Sequence, residues 1–319
     1  MKSSLITTAI TLFGLTAFGA NAGVINTFGP TNATNAATCS NTATTLTGVY
    51  ISDFDISDDD SADGQSGDNL LENGPYTASD CIGLYKGNNE GNGKPKNNIG
   101  ELGDGFLNGG KFKHKGKNYS FDELPFITES DLQDLDNDGS ATDPGWIHLA
   151  NFSTNGSGSY SHIQPNKASG TNIADLLRID LDCTNNKSCI WSLKTDIDII
   201  DNVQDILGEA TFDQLAIVIK ASNRFAVYDF NFKDIFATEY VNGNGFFDPL
   251  FPENAFGTPF TLTGTLASTD FLNKKGKVQG ISHITFLARD PAAVSIPEPS
   301  TILIFSVSLF GLAIRKLKK

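Results

Sequence analysis

The sequence predicts an all-β protein, a single β-sandwich of jelly-roll type with long loops rich in Asp, Asn and Gly. The chain has 31 Gly among its 319 residues. Its apolar runs are short, rich in β-branched and aromatic residues, and separated by turn-forming residues. No long segment repeats apolar residues at helical spacing, and no repeat of 20–50 residues occurs. With 23 Phe, the chain has enough large apolar side chains to fill a core.

Eight segments fit the strand pattern, and most of them lie in the second half of the chain. They are residues 46–51, 146–152, 176–183, 189–195, 214–221, 224–232, 259–267 and 281–288. The best short helix is 199–208, which has Gly208 at a C-cap position. We find no linker, so we expect one domain over residues 23–295. Its 23–125 part is loop-rich and its 126–290 part is the regular sandwich.

The N-terminus has the three parts of a secretory signal peptide. Lys2 supplies a positive charge, and the run Leu5–Phe18 is apolar and uncharged. Ala20 and Ala22 form a small-residue cleavage site in front of Gly23. The sequence therefore predicts export and removal of residues 1–22.

The C-terminus also has three parts, in a fixed order. Pro297, Glu298 and Pro299 come first, and the apolar run 301–314 follows. That run has 14 residues, fewer than the ~20 that span a bilayer comfortably. Basic residues directly after it are expected to stay on the cytoplasmic side. They are Arg315, Lys316, Lys318 and Lys319.

This tail, residues 296–319, resembles the PEP-CTERM sorting signal of exported proteins in Gram-negative bacteria. The resemblance implies that an exosortase recognises Pro297–Pro299 and removes the tail, which holds the chain transiently in the inner membrane. The product would then be released or attached to the cell surface, in association with exopolysaccharide. A weaker resemblance to exported proteins of this kind extends over residues 81–290 and brings no catalytic residues. The alternative is a permanent single-span anchor.

The two ends of the chain are basic, and its middle is acidic. The formal net charge is −14, from 23 basic and 37 acidic residues. This excess of acidic residues excludes a general nucleic-acid binder. Loss of both ends removes five basic residues and one acidic residue. The mature chain then has 18 basic and 36 acidic residues, a net charge of about −18, which favours divalent cations as partners.

Four cysteines lie in the exported part, where disulfides are expected. The alternation in 176–183 and 189–195 places Cys183 and Cys189 on the apolar faces of two strands joined by a polar turn. A cross-strand Cys183–Cys189 disulfide follows, which leaves Cys39 to pair with Cys81. No His accompanies these cysteines in a pattern typical of catalysis or metal binding.

The segment DLDNDGSATDPG, residues 134–145, begins like an EF-hand calcium loop. Three aspartates alternate in front of Gly139, and carboxylates at this spacing can converge on one hard cation. The loop departs from the pattern at position 12, where Gly145 replaces the bidentate Glu. We expect a weak calcium site, and the alternative is a surface turn without an ion. The candidate ligands are Asp134, Asp136, Asp138, Ser140 and Asp143.

A second acidic stretch has seven aspartates within 16 residues, and a solvated loop is the simpler interpretation. A second calcium cluster is the alternative. The aspartates are Asp53, Asp55, Asp58, Asp59, Asp60, Asp63 and Asp68.

The sequence has none of the common catalytic or nucleotide-binding motifs, and its four His are scattered. We therefore expect an exported, non-enzymatic surface or matrix protein. The alternative is a carbohydrate-binding module or a glycan hydrolase on a β-sandwich. It would need a groove with an exposed aromatic platform, and Trp146 and Trp191 are the candidates.

Overall fold

A computed structural model of the chain describes residues 38–57, 64–88, 98–121, 123–135, 138–164, 170–207, 212–250 and 255–289. The predicted signal peptide and the predicted sorting tail lie outside these residues.

The described residues form fifteen strands and two α-helices. The strands are β1 (Thr44–Ile51), β2 (Tyr76–Thr77), β3 (Asp80–Lys86), β4 (Phe112–His114), β5 (Lys117–Tyr119), β6 (Trp146–Phe152), β7 (Gly158–Tyr160), β8 (His162–Ile163), β9 (Thr171–Asn172), β10 (Leu177–Asn185), β11 (Ser188–Thr195), β12 (Gln214–Ala221), β13 (Arg224–Asn231), β14 (Phe260–Ala267) and β15 (Ile281–Arg289). The helices are α1 (Ile199–Leu207) and α2 (Phe232–Val241).

Two antiparallel sheets form the body of the fold. The five-stranded sheet has the order β10-β11-β14-β1-β2, and the six-stranded sheet has the order β3-β13-β12-β15-β6-β7. One continuous apolar core contains Leu46 and Trp191 of the first sheet together with Ile217 and Phe286 of the second. The two sheets therefore face each other as a sandwich. The all-β prediction is confirmed, and its jelly-roll detail stays a prediction.

The eight predicted strands all occur, with ends that differ by at most two residues from the predicted ones. β6 and β12 have the predicted bounds, 146–152 and 214–221. The predicted helix occurs as α1, and Gly208 lies outside the described residues.

One predicted strand extends beyond the observed strand, at its C-terminal end, and the helix that follows it was missed. The strand predicted to reach Phe232 stops at Asn231, whose side chain accepts a hydrogen bond from the Asp234 N–H and caps α2. α2 then buries Phe232, Ile235 and Phe236. These residues have the i, i+3, i+4 spacing of a helix face.

The loop-rich N-terminal part supplies strands to both sheets and a third layer. β1 pairs with β14, and β3 pairs with β13. Residues 98–126 cover the outer face of the six-stranded sheet, where Phe106, Phe112 and Phe121 form a second apolar cluster with Phe225. β12 is apolar at almost every position because both of its faces are buried. β11 alternates because its outer face meets solvent.

Trp191 packs in the centre of the sandwich because its neighbour on β14 is a glycine. Trp191 is fully buried and pairs directly with Gly264. A Cβ atom at residue 264 would collide with the indole ring of Trp191 and with the carbonyl oxygen of Thr45. Gly264 therefore gives the indole the room that it needs.

Candidate functional site

A buried charge cluster surrounds Arg289, the last residue of β15. Arg289 is 1% exposed. Its Nη1 donates to both carboxylate oxygens of Asp213, at 3.1 and 3.2 Å. Its Nε donates to the carbonyl oxygen of Pro144 at 3.0 Å, and its Nη2 donates to that of Asp131 at 2.6 Å. Every nitrogen of the guanidinium group is therefore hydrogen-bonded, as burial of a cation requires.

Further charged groups surround this pair. Lys233 on α2 places its Nζ 2.7 Å from Asp213. Burial is the largest cause that raises the pKa of Asp229 well above its usual range, and the nearby carboxylates of Asp213 and Asp80 add to it. The carboxylate of Asp213 contacts two cations, Arg289 and Lys233.

β15 is paired with a neighbouring strand on each of its two sides. β15 pairs with β12 on one side and with β6 on the other, and the pairing extends to Arg289 on both sides. The predicted sorting residues Pro297, Glu298 and Pro299 therefore begin eight residues after a strand end that is held from both sides. These residues lie outside the described part of the chain, as do the basic residues 315–319 and the predicted signal cleavage residues Ala20, Ala22 and Gly23.

Both predicted disulfides are present. Cys183 and Cys189 join β10 to β11 across the hairpin, with Cα atoms 4.0 Å apart. Cys39 and Cys81 join the segment before β1 to β3, with Cα atoms 6.1 Å apart. The second bridge therefore connects a residue next to the five-stranded sheet with a strand of the six-stranded sheet.

The predicted calcium loop is described in part, because Asp136 lies outside the described residues. The carboxylate of Asp134 accepts the backbone N–H of Asp138 at 2.9 Å and that of Gly139 at 3.0 Å. Asp138 accepts the N–H of Ser140 at 2.8 Å. These contacts are those of a tight turn stabilised by aspartate side chains.

Asp143, the last candidate ligand, makes a different set of contacts. It is 1% exposed, and its Oδ1 and Oδ2 accept the backbone N–H groups of Leu102 and Leu135, each at 2.8 Å. Asp143 thus joins the third layer to the loop before β6. Among the described residues, no three acidic, His or Cys side chains form a metal-binding group.

The acidic stretch is also described only at its two ends. Asp53 and Asp68 are exposed, and Asp55 accepts hydrogen bonds from the N–H and hydroxyl of Ser57. Asp58, Asp59, Asp60 and Asp63 lie outside the described residues.

Both Trp and one of the four His, His148, are buried. Trp146 is 1% exposed and Trp191 is fully buried, so neither can stack on a sugar. His148 and Ser161 contact each other through Nδ1 and Oγ, and both are inaccessible to a substrate.

Two features of this end of the molecule were not predicted from the sequence. Asn98 and Asn108 each exchange two hydrogen bonds with the backbone of β6, at His148 and Trp146 respectively. They cover an edge that no strand covers there. The second feature is an apolar cavity between the two sheets. No motif indicates either one, because each depends on residues far apart in the chain.

No helix in the described part of the chain is long and apolar enough to cross a membrane, and the apolar run 301–314 lies outside that part.

Comparison with known proteins finds a match at the C-terminus. No curated protein and no solved structure matches the chain. The family model of the PEP-CTERM protein-sorting motif matches residues 295–319. The chain therefore carries a PEP-CTERM sorting motif at its C-terminus, and this motif marks it as an exported protein directed to an exosortase.

Proposed function

We propose that this protein is a non-enzymatic component of the cell surface or extracellular matrix, which an exosortase releases from its membrane tail. The observation that carries the proposal is the sorting motif at residues 295–319, directly behind a disulfide-bonded β-sandwich. Its association with exopolysaccharide is part of the proposal and rests on the resemblance of the tail to such signals.

The junction between fold and tail supports this proposal. Seven residues, 290–296, separate Arg289 from Pro297. Fully extended, they span about 25 Å, so the motif can be reached by an enzyme without unfolding β15. Cleavage in the tail removes none of the described strands, because the last of them, β15, ends at Arg289.

The burial of both Trp and of the His148–Ser161 pair supports the non-enzymatic part of the proposal. His148, Ser161, Trp146 and Trp191 are at most 2% exposed. Each would need a local opening of the sandwich to meet a substrate.

Mass spectrometry of the mature protein tests the sorting proposal. In the native host, the wild-type product should lack residues 1–22 and 300–319. The variant P297A/P299A should keep the tail and remain in the inner-membrane fraction. The control P291A lies outside the matched residues 295–319 and should be processed like the wild type. A wild-type product that keeps residues 300–319 would support the permanent anchor and reject exosortase processing.

The exopolysaccharide association needs a test of its own. The mature protein should sediment with exopolysaccharide purified from the native host and should stay in the supernatant with an unrelated neutral glucan. Equal sedimentation with both polymers, or with neither, would reject a specific association.

Calcium binding by the loop 134–143 is a second, separate proposal. It is supported by the close approach of Asp134 and Asp138, whose carboxylates lie in one tight turn. The described residues alone do not make a complete ligand set, because both oxygens of Asp143 bind backbone N–H groups. The proposal therefore depends on Asp136.

A further inference from the structure

An apolar cavity lies between the two sheets, at the end of the sandwich where β15 stops. Its volume is about 100 Å³. Leu193 and Leu262 line it from the five-stranded sheet, and Leu149, Leu215 and Ala288 line it from the six-stranded sheet. All five side chains are at most 8% exposed, so the inner part of the cavity belongs to the core.

The two helices complete the wall of this cavity. Ile199 and Val203 of α1 line it together with Phe232 and Phe236 of α2. These four side chains are buried, and they point the apolar side of each helix into the cavity. The helices therefore cover the end of the sandwich without filling the space between the sheets.

The cavity has an outer part that meets solvent. Ile200, Phe212, Phe256 and Pro259 line it and are all partly exposed. A small molecule can therefore enter from the surface between α1 and the segment that precedes β14. The inner and outer parts together make a pocket with one apolar end and one wet end.

The residues that line the cavity determine which chemical class of ligand can bind there. Among the described residues that line the cavity, three are polar, namely Thr195, Gln214 and Thr258, and none is charged. The hydroxyl of Thr195 already donates to the carbonyl oxygen of Phe260 at 2.9 Å. A charged ligand would lose its hydration without gaining an ion pair, which costs several kcal/mol. The ligand must therefore be neutral and mainly apolar.

The volume limits the size of the ligand. An apolar cavity of about 150 Å³ in another protein stays dry and binds benzene or xenon. The cavity here is somewhat smaller but opens outward. It fits one ring or one short branched chain, about four to seven non-hydrogen atoms.

We propose that this cavity is a binding site for a small, neutral, apolar molecule of the size of a single aromatic ring. The proposal is independent of the proposed sorting, because every residue that lines the cavity precedes the matched segment 295–319. Binding takes place between the sheets, against Leu193, Leu215, Ala288 and the apolar side of α1.

Thermal unfolding of the secreted mature protein tests this proposal with benzene as the probe. Benzene at up to 20 mM should raise Tm by a few degrees and the effect should saturate, since it binds the native state alone. Benzoate has the same ring and a negative charge, and it should leave Tm unchanged. No saturable increase with benzene, or an equal increase with benzoate, would overturn the proposal.

Two variants that fill the cavity localise the effect. A288L and A255L each add three carbon atoms to a residue that lines the cavity, and each should abolish the response to benzene. The matched control I190A changes a residue that is 59% exposed on the outer face of β11, and it should keep the response. A response that persists in both filling variants would place the binding elsewhere and contradict the proposal.

Crystals of the wild-type mature protein under xenon pressure keep the proposal testable if the variants do not fold. Xenon should bind between Leu193 and Leu215. Xenon found only at other places, or a cavity filled by the protein's own C-terminal residues, would reject the site.

Discussion

The Nη1 atom of Arg289 donates hydrogen bonds to both carboxylate oxygens of Asp213, and both side chains are 1% exposed. The two residues are 76 positions apart in the chain. The pair lies at the last residue of β15, eight residues before Pro297. It joins the end of β15 to the residue directly before β12.

Removal of Asp213 should therefore destabilise the protein strongly. D213A leaves Arg289 as a buried cation that keeps two carbonyl partners and loses the carboxylate it contacts, so we expect a loss of about 3–5 kcal/mol in the free energy of unfolding. Denaturant unfolding of the variant and the wild type measures this loss. The control D180A breaks the Lys194–Asp180 pair, in which Asp180 is 52% exposed, and should cost less than about 1 kcal/mol. Similar losses in the two variants would contradict this account of Arg289.

The two disulfides should contribute unequally to stability. Cys39 and Cys81 are separated by 42 residues, and Cys183 and Cys189 by six. A disulfide restricts the unfolded chain more when its loop is longer, which predicts a loss of about 4 kcal/mol for C39A/C81A and about 2 kcal/mol for C183A/C189A. Thermal unfolding of the two double variants compares them. The prediction fails if C183A/C189A is the less stable of the two.

Stability should decline as the pH rises through neutrality, because of Asp104. Burial raises the pKa of Asp104 to about 7, and hydrogen bonds from Asn108, Gly100 and Ile99 limit the increase. Because this pKa lies above the unfolded value of 3.8, Asp104 makes a contribution to the free energy of unfolding that depends on pH. The contribution is fully present below about pH 4 and is lost as the pH rises through 7. Asp229 acts in the same direction.

The variant D104N removes this titration. The free energy of unfolding of the wild type should fall by up to a few kcal/mol between pH 5 and pH 8, and that of D104N should fall less. Unfolding experiments at several pH values measure the difference. The exposed control D68N should follow the wild-type profile, and an identical profile for D104N would reject the role of Asp104.

Glu239 changes the stability in the opposite direction to Asp104, at low pH. Burial raises the pKa of Glu239, but hydrogen bonds from Tyr76, Asn73 and Asn244 together lower it below its usual value. The contribution of Glu239 to the free energy of unfolding is therefore present above the unfolded pKa of 4.5. It is lost as the pH falls through the lower pKa of the folded protein. Y76F should therefore make the protein more sensitive to acid than the wild type, and circular dichroism during acid titration measures this. An unchanged acid midpoint in Y76F would contradict the prediction.

A chelator should lower Tm if the loop 134–143 binds calcium. For a site with Kd on the order of 10⁻⁴–10⁻³ M, millimolar calcium stabilises the native state by about 1 kcal/mol, or about 2–4 °C in Tm. Calorimetry with calcium and with EDTA measures the shift. D136A should abolish it, and D68A, an exposed aspartate outside the loop, should keep it. An unchanged Tm on chelation would reject the calcium proposal.

Local patterns in the sequence were sufficient to predict most of the long strands. β11 alternates because one of its faces is exposed, and β12 is continuously apolar because both of its faces are covered. Both patterns are readable without a structure, and so is the Cys183–Cys189 hairpin. α2 was missed although the spacing of Phe232, Ile235 and Phe236 indicates a helix, because β13 ends directly in front of it and the apolar run continues.

The sequence by itself determined the C-terminal sorting motif of this protein, its strand-rich middle and its disulfide pairing, because these depend on residue types at short spacing. Only the tertiary structure decided how residues 98–126 form a third layer, which residue neutralises Arg289, and where the cavity lies. Each of these depends on contacts between residues tens of positions apart. A side chain's burial and its distant partners follow from the packing of whole sheets, which no local pattern specifies.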